Sequence, residues 1–157
     1  MPADNFPEMV LGPIGVVKNG ATTQEDRRWE DMLSEIVVRD EFAAGLDGIE
    51  LFSHIIIVYW MHRLKAGERS LLKVHPWRKE EMPLMGVFAT RYPARPNPVG
   101  LTVVRLLGRQ GNTLKVIGLD AVDGTPVIDM KPYLLNGDCV PGATAPRWVA
   151  QGQGLLE

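Results

Sequence analysis

Two segments of the chain combine polar side chains with turn residues in a way that suits ligand binding. In the first, residues 86–101, three prolines within six positions surround the polar side chains of Arg91, Arg95 and Asn97. Proline fixes φ, so this loop is rigid before a ligand arrives and presents those side chains at low entropic cost. Its backbone carbonyls and the Asn97 amide suit a ligand amine or the edge of an adenine. A rigid structural corner is the alternative interpretation.

The second segment places Asp120 and Asp123 just before Gly124. Glycine lets the backbone approach a ligand closely, and the two carboxylates suit hydroxyl groups or a positive centre, such as a ribose or a sulfonium. Asp-Gly between strands is also an ordinary hairpin signal, and the spacing is not that of an EF-hand calcium loop. Lys131, beside Asp129, suits a structural ion pair, a solvated charge or a contact to substrate.

Several common chemistries lack their sequence signals. There is no Gly-x-Gly-x-x-Gly motif, no Gly-x-x-x-x-Gly-Lys-Ser/Thr loop and no Gly-x-Ser-x-Gly elbow. His54, His62 and His75 do not have metal-ligand spacing on a helix, and the single Cys139 excludes a metal site built on several cysteines. We therefore expect no metal, no P-loop and no Rossmann dinucleotide site.

The composition fits one soluble globular domain. The chain has 157 residues, of which 45% are apolar and 23% are charged, with a formal net charge of −2. The longest apolar run, residues 55–61, is far shorter than the roughly 20 residues that span a bilayer, and the first ten residues do not form a secretory signal. We expect no membrane segment, and the lone cysteine agrees with a cytoplasmic location.

The mild net charge conceals a segregation along the chain. Residues 60–110 carry ten Lys or Arg and three Asp or Glu, whereas residues 1–59 carry four basic and eleven acidic residues. Eight basic side chains of this middle block suit a polyanion if they share a face: Arg63, Lys65, Arg69, Lys73, Arg78, Lys79, Arg91 and Arg95. Independent solvation in loops is the alternative.

The elements that must position these residues are mainly strands. The 16 glycines and 12 prolines disfavour a helical bundle. Patterning predicts strands over 11–17, 34–38, 54–62, 87–90, 101–107, 113–119 and 127–130, with a short helix over 24–33, a helical turn over 41–46 and a long polar excursion over 64–83. The strand 54–62 reads as buried on both faces or nearly so. The predicted fold is mainly β, a small β-barrel of about six strands with short helical insertions. We expect residues 1–135 to form the barrel and residues 136–157 an irregular C-terminal tail of the same domain.

At the two polar segments the chain closely resembles the TsaA-like, or TrmO, family. The resemblance is carried by Phe88-Ala89-Thr90-Arg91, by Arg95-Pro96-Asn97-Pro98-Val99-Gly100-Leu101 and by the run from Leu119-Asp120-Ala121-Val122-Asp123-Gly124-Thr125 to Lys131-Pro132-Tyr133. It extends to Pro13-Ile14-Gly15-Val16-Val17, Phe52-Ser53-His54 and Tyr59-Trp60-Met61-His62-Arg63, so that it spans roughly residues 14–133.

The resemblance implies a β-barrel methyltransferase that works as a homodimer. It implies S-adenosylmethionine as the cofactor and tRNA as the partner, with methyl transfer to N6 of N6-threonylcarbamoyladenosine beside the anticodon. Carried onto this chain, the cofactor site takes His62, Arg63, Arg91, Leu101, Val122, Asp123, Gly124 and Thr125. We assign Arg95, Asn97 and Lys131 to substrate binding, and the candidates for a general base are His62, Asp123 and Tyr133.

The chain departs from the family pattern in its early loop and in its length. Residues 19–31 lack the Pro-Arg-Gln triplet that members commonly carry there, and the second domain of many bacterial members is expected to be missing. Two alternatives therefore stay open: a non-catalytic sensor of S-adenosylmethionine or adenosine, and a methyltransferase acting on a small nucleoside-like metabolite.

Overall fold

Six antiparallel strands close into a barrel in a computed structural model that describes residues 6–23 and 28–154. The strands are β1 (Gly15–Lys18), β2 (Leu33–Val38), β3 (His54–Trp60), β6 (Val99–Gln110), β7 (Thr113–Ile117) and β8 (Pro126–Pro132). They follow each other around the barrel in the order β1-β2-β7-β6-β3-β8. Two short strands outside the barrel, β4 (Lys73–Val74) and β5 (Met85–Gly86), pair with each other. The predicted fold class is confirmed.

The barrel interior is filled by alternate residues of its strands. In β3 the side chains of Ile55, Ile57 and Tyr59 point inward and are buried, while the intervening ones are half-buried. This alternation places aliphatic residues from neighbouring strands, such as Val104 and Leu114, in one continuous core. The strand with the strongest apolar signal, β3, pairs with β6 on one side and with β8 on the other.

The hairpin between β6 and β7 is formed as its Gly-Asn pair predicts. Gly111 takes a φ of +62°, which the two-residue turn requires and glycine adopts without strain. The Asn112 amide donates to the Val38 carbonyl at 2.7 Å and to the Asp40 carboxylate at 2.8 Å. These bonds anchor the hairpin to the end of β2.

Two of the predicted elements differ from the structure. Residues 24–27 of the predicted helix 24–33 lie outside the described residues, and the part that follows is a 3-10 turn, Trp29–Asp31, before β2. The predicted strand 87–90 is wrong, because Val87–Ala89 form a 3-10 turn. Val87 is buried and donates its N–H to the Leu72 carbonyl, but Phe88 and Ala89 are both exposed, so the side chains of this run do not alternate across a sheet.

Short helices and turns connect and flank the barrel. The 3-10 turns are Trp29–Asp31, Asp40–Leu46, Ile49–Leu51, Ala66–Ser70, Pro76–Arg78 and Val87–Ala89, and the α-helices are α1 (Leu135–Asp138) and α2 (Arg147–Gly152). The α2 helix lies in the segment expected to be irregular, and its Trp148 packs edge-on against Trp77 of the polar excursion. Within the described residues no helix has the length and apolar character to cross a bilayer.

Candidate functional site

An open cleft of about 1470 Å³ lies at the barrel end where β3 finishes and β6 begins. Trp60 pairs with Val99, and Tyr59 pairs with Val127 at the start of β8. The segments that follow β3 and precede β6 and β8 therefore meet at this end. The cleft is lined by these segments, by the excursion between β3 and β6 and by α2.

Three polar side chains form a cluster in the cleft. The Tyr59 hydroxyl donates to Oδ1 of Asp120 at 2.9 Å, and the Thr102 hydroxyl donates to the same oxygen. Burial, followed by the negative charge of Asp120, raises the pKa of Tyr59, so the phenol stays protonated and remains a donor. Asp120 is exposed in the cleft. An anchored carboxylate in this position suits a positively charged group of a ligand.

Four arginines of the basic middle block line the same cleft: Arg63, Arg78, Arg91 and Arg95. Arg63 donates to the Thr22 carbonyl, Arg91 to the Leu101 carbonyl at 3.2 Å, and Arg95 to the carbonyls of Thr90 and Tyr92 at 3.3 Å each. The acceptors of these three arginines are neutral carbonyl groups. Within residues 6–23 and 28–154, none of the four forms a salt bridge with a carboxylate. Half of the eight basic residues singled out in the sequence therefore face one cavity.

His62 lies on the cleft, two residues after the end of β3. Partial burial lowers its pKa, and the positive charge of the neighbouring Arg63 lowers it further. The imidazole is accordingly neutral near pH 7 and can accept a proton. The part of the chain that the structure describes contains no group of three or more His, Cys, Asp or Glu arranged to hold a metal ion.

The turn formed by residues 122–125 is locked to the loop after β1. Asp123 accepts hydrogen bonds from the backbone N–H groups of Asn19 at 2.8 Å and Gly20 at 3.2 Å, and these bonds lower its pKa. Gly124 takes a φ of +78°, and its N–H donates to the Val17 carbonyl. Val122 and Thr125 face the cleft, whereas Asp123 and Gly124 hold the turn in place. Asp123 is therefore a structural acceptor and a weak base.

Only one of the remaining predicted site residues lines the cleft. Leu101 lines the cleft, but Asn97, Lys131 and Tyr133 are not among the described residues that do so. Lys131 forms an ion pair with Asp129 at 2.8 Å, which raises the pKa of the lysine. The Tyr133 N–H donates to the carbonyl of His54, at the end of β3 away from the cleft. At about 3.3 Å per residue, the length of β3 separates Tyr133 from His62 by roughly 20 Å.

The cleft residues that the predicted site set misses include Tyr59, Thr102, Trp77 and Trp148. For Tyr59 a signal exists, because a tyrosine inside an apolar strand needs a hydrogen-bond partner for its hydroxyl. The two tryptophans are 71 positions apart, and nothing in the local sequence around either one indicates that they meet.

Comparison with known proteins gives consistent matches. Residues 17–139 match the family described as the tRNA-methyltransferase O N-terminal domain. An S-adenosyl-L-methionine-binding protein of Archaeoglobus fulgidus is 51% identical over 136 residues, covering 84% of this chain and 94% of the relative. A probable S-adenosyl-L-methionine-binding protein of Methanothermobacter thermautotrophicus is 48% identical over 130 residues, covering 80% and 90%.

A crystal structure of TrmO has a TM-score of 0.72 and 32% identity to this chain. The match covers 88% of this chain but only 64% of the TrmO chain. The barrel is therefore shared, and this chain spans less than two thirds of the solved relative.

Proposed function

Because the chain belongs to the family of the tRNA-methyltransferase O N-terminal domain, we propose that it is an S-adenosylmethionine-dependent tRNA methyltransferase. The proposed acceptor is N6 of N6-threonylcarbamoyladenosine beside the tRNA anticodon, and the proposed location is the cytoplasm. The observation that carries the proposal is the juxtaposition in one cleft of an anchored carboxylate, a neutral histidine and four arginines.

The residues of the cleft fit S-adenosylmethionine. Asp120 supplies a negative charge that attracts a sulfonium, and Arg63 and Arg91 suit the carboxylate of the methionine moiety. Leu101 and Val122 add apolar surface for an adenine ring. When bound, the cofactor supplies an activated methyl group on a positively charged sulfur. The whole predicted cofactor set, His62, Arg63, Arg91, Leu101, Val122, Asp123, Gly124 and Thr125, is part of this proposal.

His62 is the best of the three candidate bases. The N6 atom of a carbamoylated adenosine carries one proton, which must leave when the methyl group is added. A neutral imidazole on the cleft can accept that proton. Asp123 is already bonded to two backbone amides, and Tyr133 lies near the other end of β3, so both are poorly suited to this role. Alignment of donor and acceptor supplies much of the remaining acceleration.

The four arginines that line the cleft, Arg63, Arg78, Arg91 and Arg95, support a polyanionic substrate. Arg95, Asn97 and Lys131 are proposed to contact tRNA. Arg95 also braces its own loop through its hydrogen bonds to the carbonyls of Thr90 and Tyr92. A homodimer is also part of the proposal, because Leu101 and Val103 of β6 are 49% and 43% exposed. A second copy that covers this strand removes apolar surface from water beside the cofactor site. Residues 1–135 and 136–157 are proposed to act as one domain, since α2 packs against Trp77.

The test is mass spectrometry of nucleosides after incubating the protein with S-adenosylmethionine and tRNA that carries N6-threonylcarbamoyladenosine. We expect a nucleoside heavier by one methyl group. Cofactor binding is verified in the same sample, and unmodified tRNA is the control. Binding without any product overturns the proposed activity and favours the sensor. Methylation of the free modified nucleoside but not of tRNA favours the metabolite enzyme.

A further inference from the structure

Trp77 has an unusual backbone conformation. Its φ and ψ are 54° and 18°, and Arg78 follows with a φ of 57°. Two consecutive residues with side chains in the left-handed region are unfavourable and persist only where their surroundings fix them. Here the buried Pro76 precedes Trp77, and Nδ1 of His75 donates to the Met82 carbonyl at 2.7 Å, which closes the loop. In this conformation the indole ring of Trp77 lies against α2.

The α2 helix holds that ring from one side. The ring of Trp148 meets it edge-on, with centroids 5.9 Å apart and planes at 70°. Gly152 lies so close that a Cβ at this position would overlap the ring of Trp77. Despite these contacts Trp77 is 42% exposed, and both tryptophans line the cleft. The ring is therefore fixed in position with part of its surface open to the cavity.

The cleft is larger than one cofactor requires. Its volume of about 1470 Å³ exceeds the roughly 300–1,000 Å³ of ordinary small-molecule pockets. The proposed cofactor residues belong to the barrel end and its adjoining loops, whereas Trp77 and Arg78 belong to the excursion after β3. An aromatic ring beside arginines is the combination that binds single-stranded nucleic acid, because bases stack on the ring and phosphates meet the charges.

We propose that Trp77, braced by α2, is a stacking platform for one base of the RNA loop that carries the acceptor nucleoside. The inference rests on the proposed function and deepens it. The brace lies in α2, beyond residue 139, where the match to the family model ends. An enzyme that acts on a base must draw it out of its stack, and an aromatic surface compensates for the lost stacking.

The experiment measures the affinity of an anticodon stem-loop for the protein, with an abasic site placed at each loop position in turn. We expect Trp77→Ala to weaken binding of the intact loop by roughly 5- to 150-fold, the range for stacking of one base. An abasic site at one loop position should weaken binding of the RNA to the wild-type protein by a similar factor. The same abasic site should cause little further loss of affinity for Trp77→Ala. Trp77→Phe should retain most of the affinity. Trp29→Ala, outside the cleft, is the control.

Trp77→Leu keeps apolar packing against Gly152 without an aromatic ring, so it tests the same point if the alanine variant does not fold. S-adenosylmethionine affinity should stay unchanged in each Trp77 variant. The inference is overturned if the Trp77 variants bind RNA as tightly as the wild type, or if their affinity for S-adenosylmethionine falls instead. It is also overturned if an abasic site lowers RNA affinity equally at every loop position. A wild type that shows the abasic effect but no methylation refutes the proposed activity and leaves the platform standing.

Discussion

Replacing Gly100 by alanine should disturb the polar cluster of the cleft indirectly, by displacing the side chain of Tyr59. Gly100 lies opposite Tyr59 in the pairing of β3 with β6. A Cβ on Gly100 would overlap the aromatic ring of Tyr59, with the ring's Cδ2 at 2.8 Å. Tyr59 is only 4% exposed, so its ring has no open space into which it can move freely. The ring must shift, and the 2.9 Å bond to Asp120 must lengthen or break.

The expected loss combines two effects. Overpacking of a core costs about 1–3 kcal/mol. Loss of a hydrogen bond to a charged group costs about 1.5–3 kcal/mol, part of which Thr102 offsets because it also donates to Asp120. We expect a total of about 2–5 kcal/mol in the free energy of unfolding. For a chain of this size that lowers Tm by roughly 5–20 °C.

The assay is thermal unfolding followed by circular dichroism, with Gly108→Ala as the matched control. Gly108 lies in the same strand, and a Cβ there meets nothing within 4 Å. The control should melt like the wild type or slightly higher, because alanine has less backbone entropy to lose than glycine. In a Tyr59→Ala background Gly100→Ala should cost little. Equal melting of both glycine variants refutes the packing argument.

Three further predictions concern charge. Asp123→Asn should be less stable than the wild type above about pH 4, with the difference vanishing as the pH falls through the lowered pKa of Asp123, as acid unfolding curves will show. His62→Gln should slow methyl transfer roughly 10²- to 10⁴-fold. The wild-type rate should rise as the pH passes the lowered pKa of His62 and then level off, and a variant with the same rate-pH profile as the wild type rules out His62 as the base. Arg95→Gln should reduce the salt dependence of tRNA binding by about 0.7–0.9 in the log-log slope, because Arg95 is the arginine proposed to contact tRNA. Arg109→Gln is the control and should leave this slope unchanged, because the charge of Arg109 is paired with Asp47 at 3.1 Å. Equal slopes for the two variants would contradict the proposal that the arginines of the cleft bind tRNA.

Much of the barrel is encoded locally. The run over residues 55–60 is apolar and rich in β-branched residues, which indicates a largely buried strand. The Gly-Asn pair at residues 111 and 112 predicts a tight hairpin. These signals depend on a few neighbouring residues, so the two elements can be predicted without knowledge of the tertiary structure. The prediction for residues 87–90 fails for the converse reason: Val87 is held by the Leu72 carbonyl from outside its own segment.

The candidate site divides in the same way. Sequence alone identified His62, the arginines and the turn around Asp123 as polar groups near strand ends, and it indicated the family. Only the closed barrel decided which of them share a cleft, because strand pairing brings the end of β3 to the start of β6 and carries Tyr133 to the other end. The contact of Trp77 with Trp148 and the bond from Tyr59 to Asp120 join residues 71 and 61 positions apart. Such contacts form when the chain closes on itself, and no local pattern specifies them.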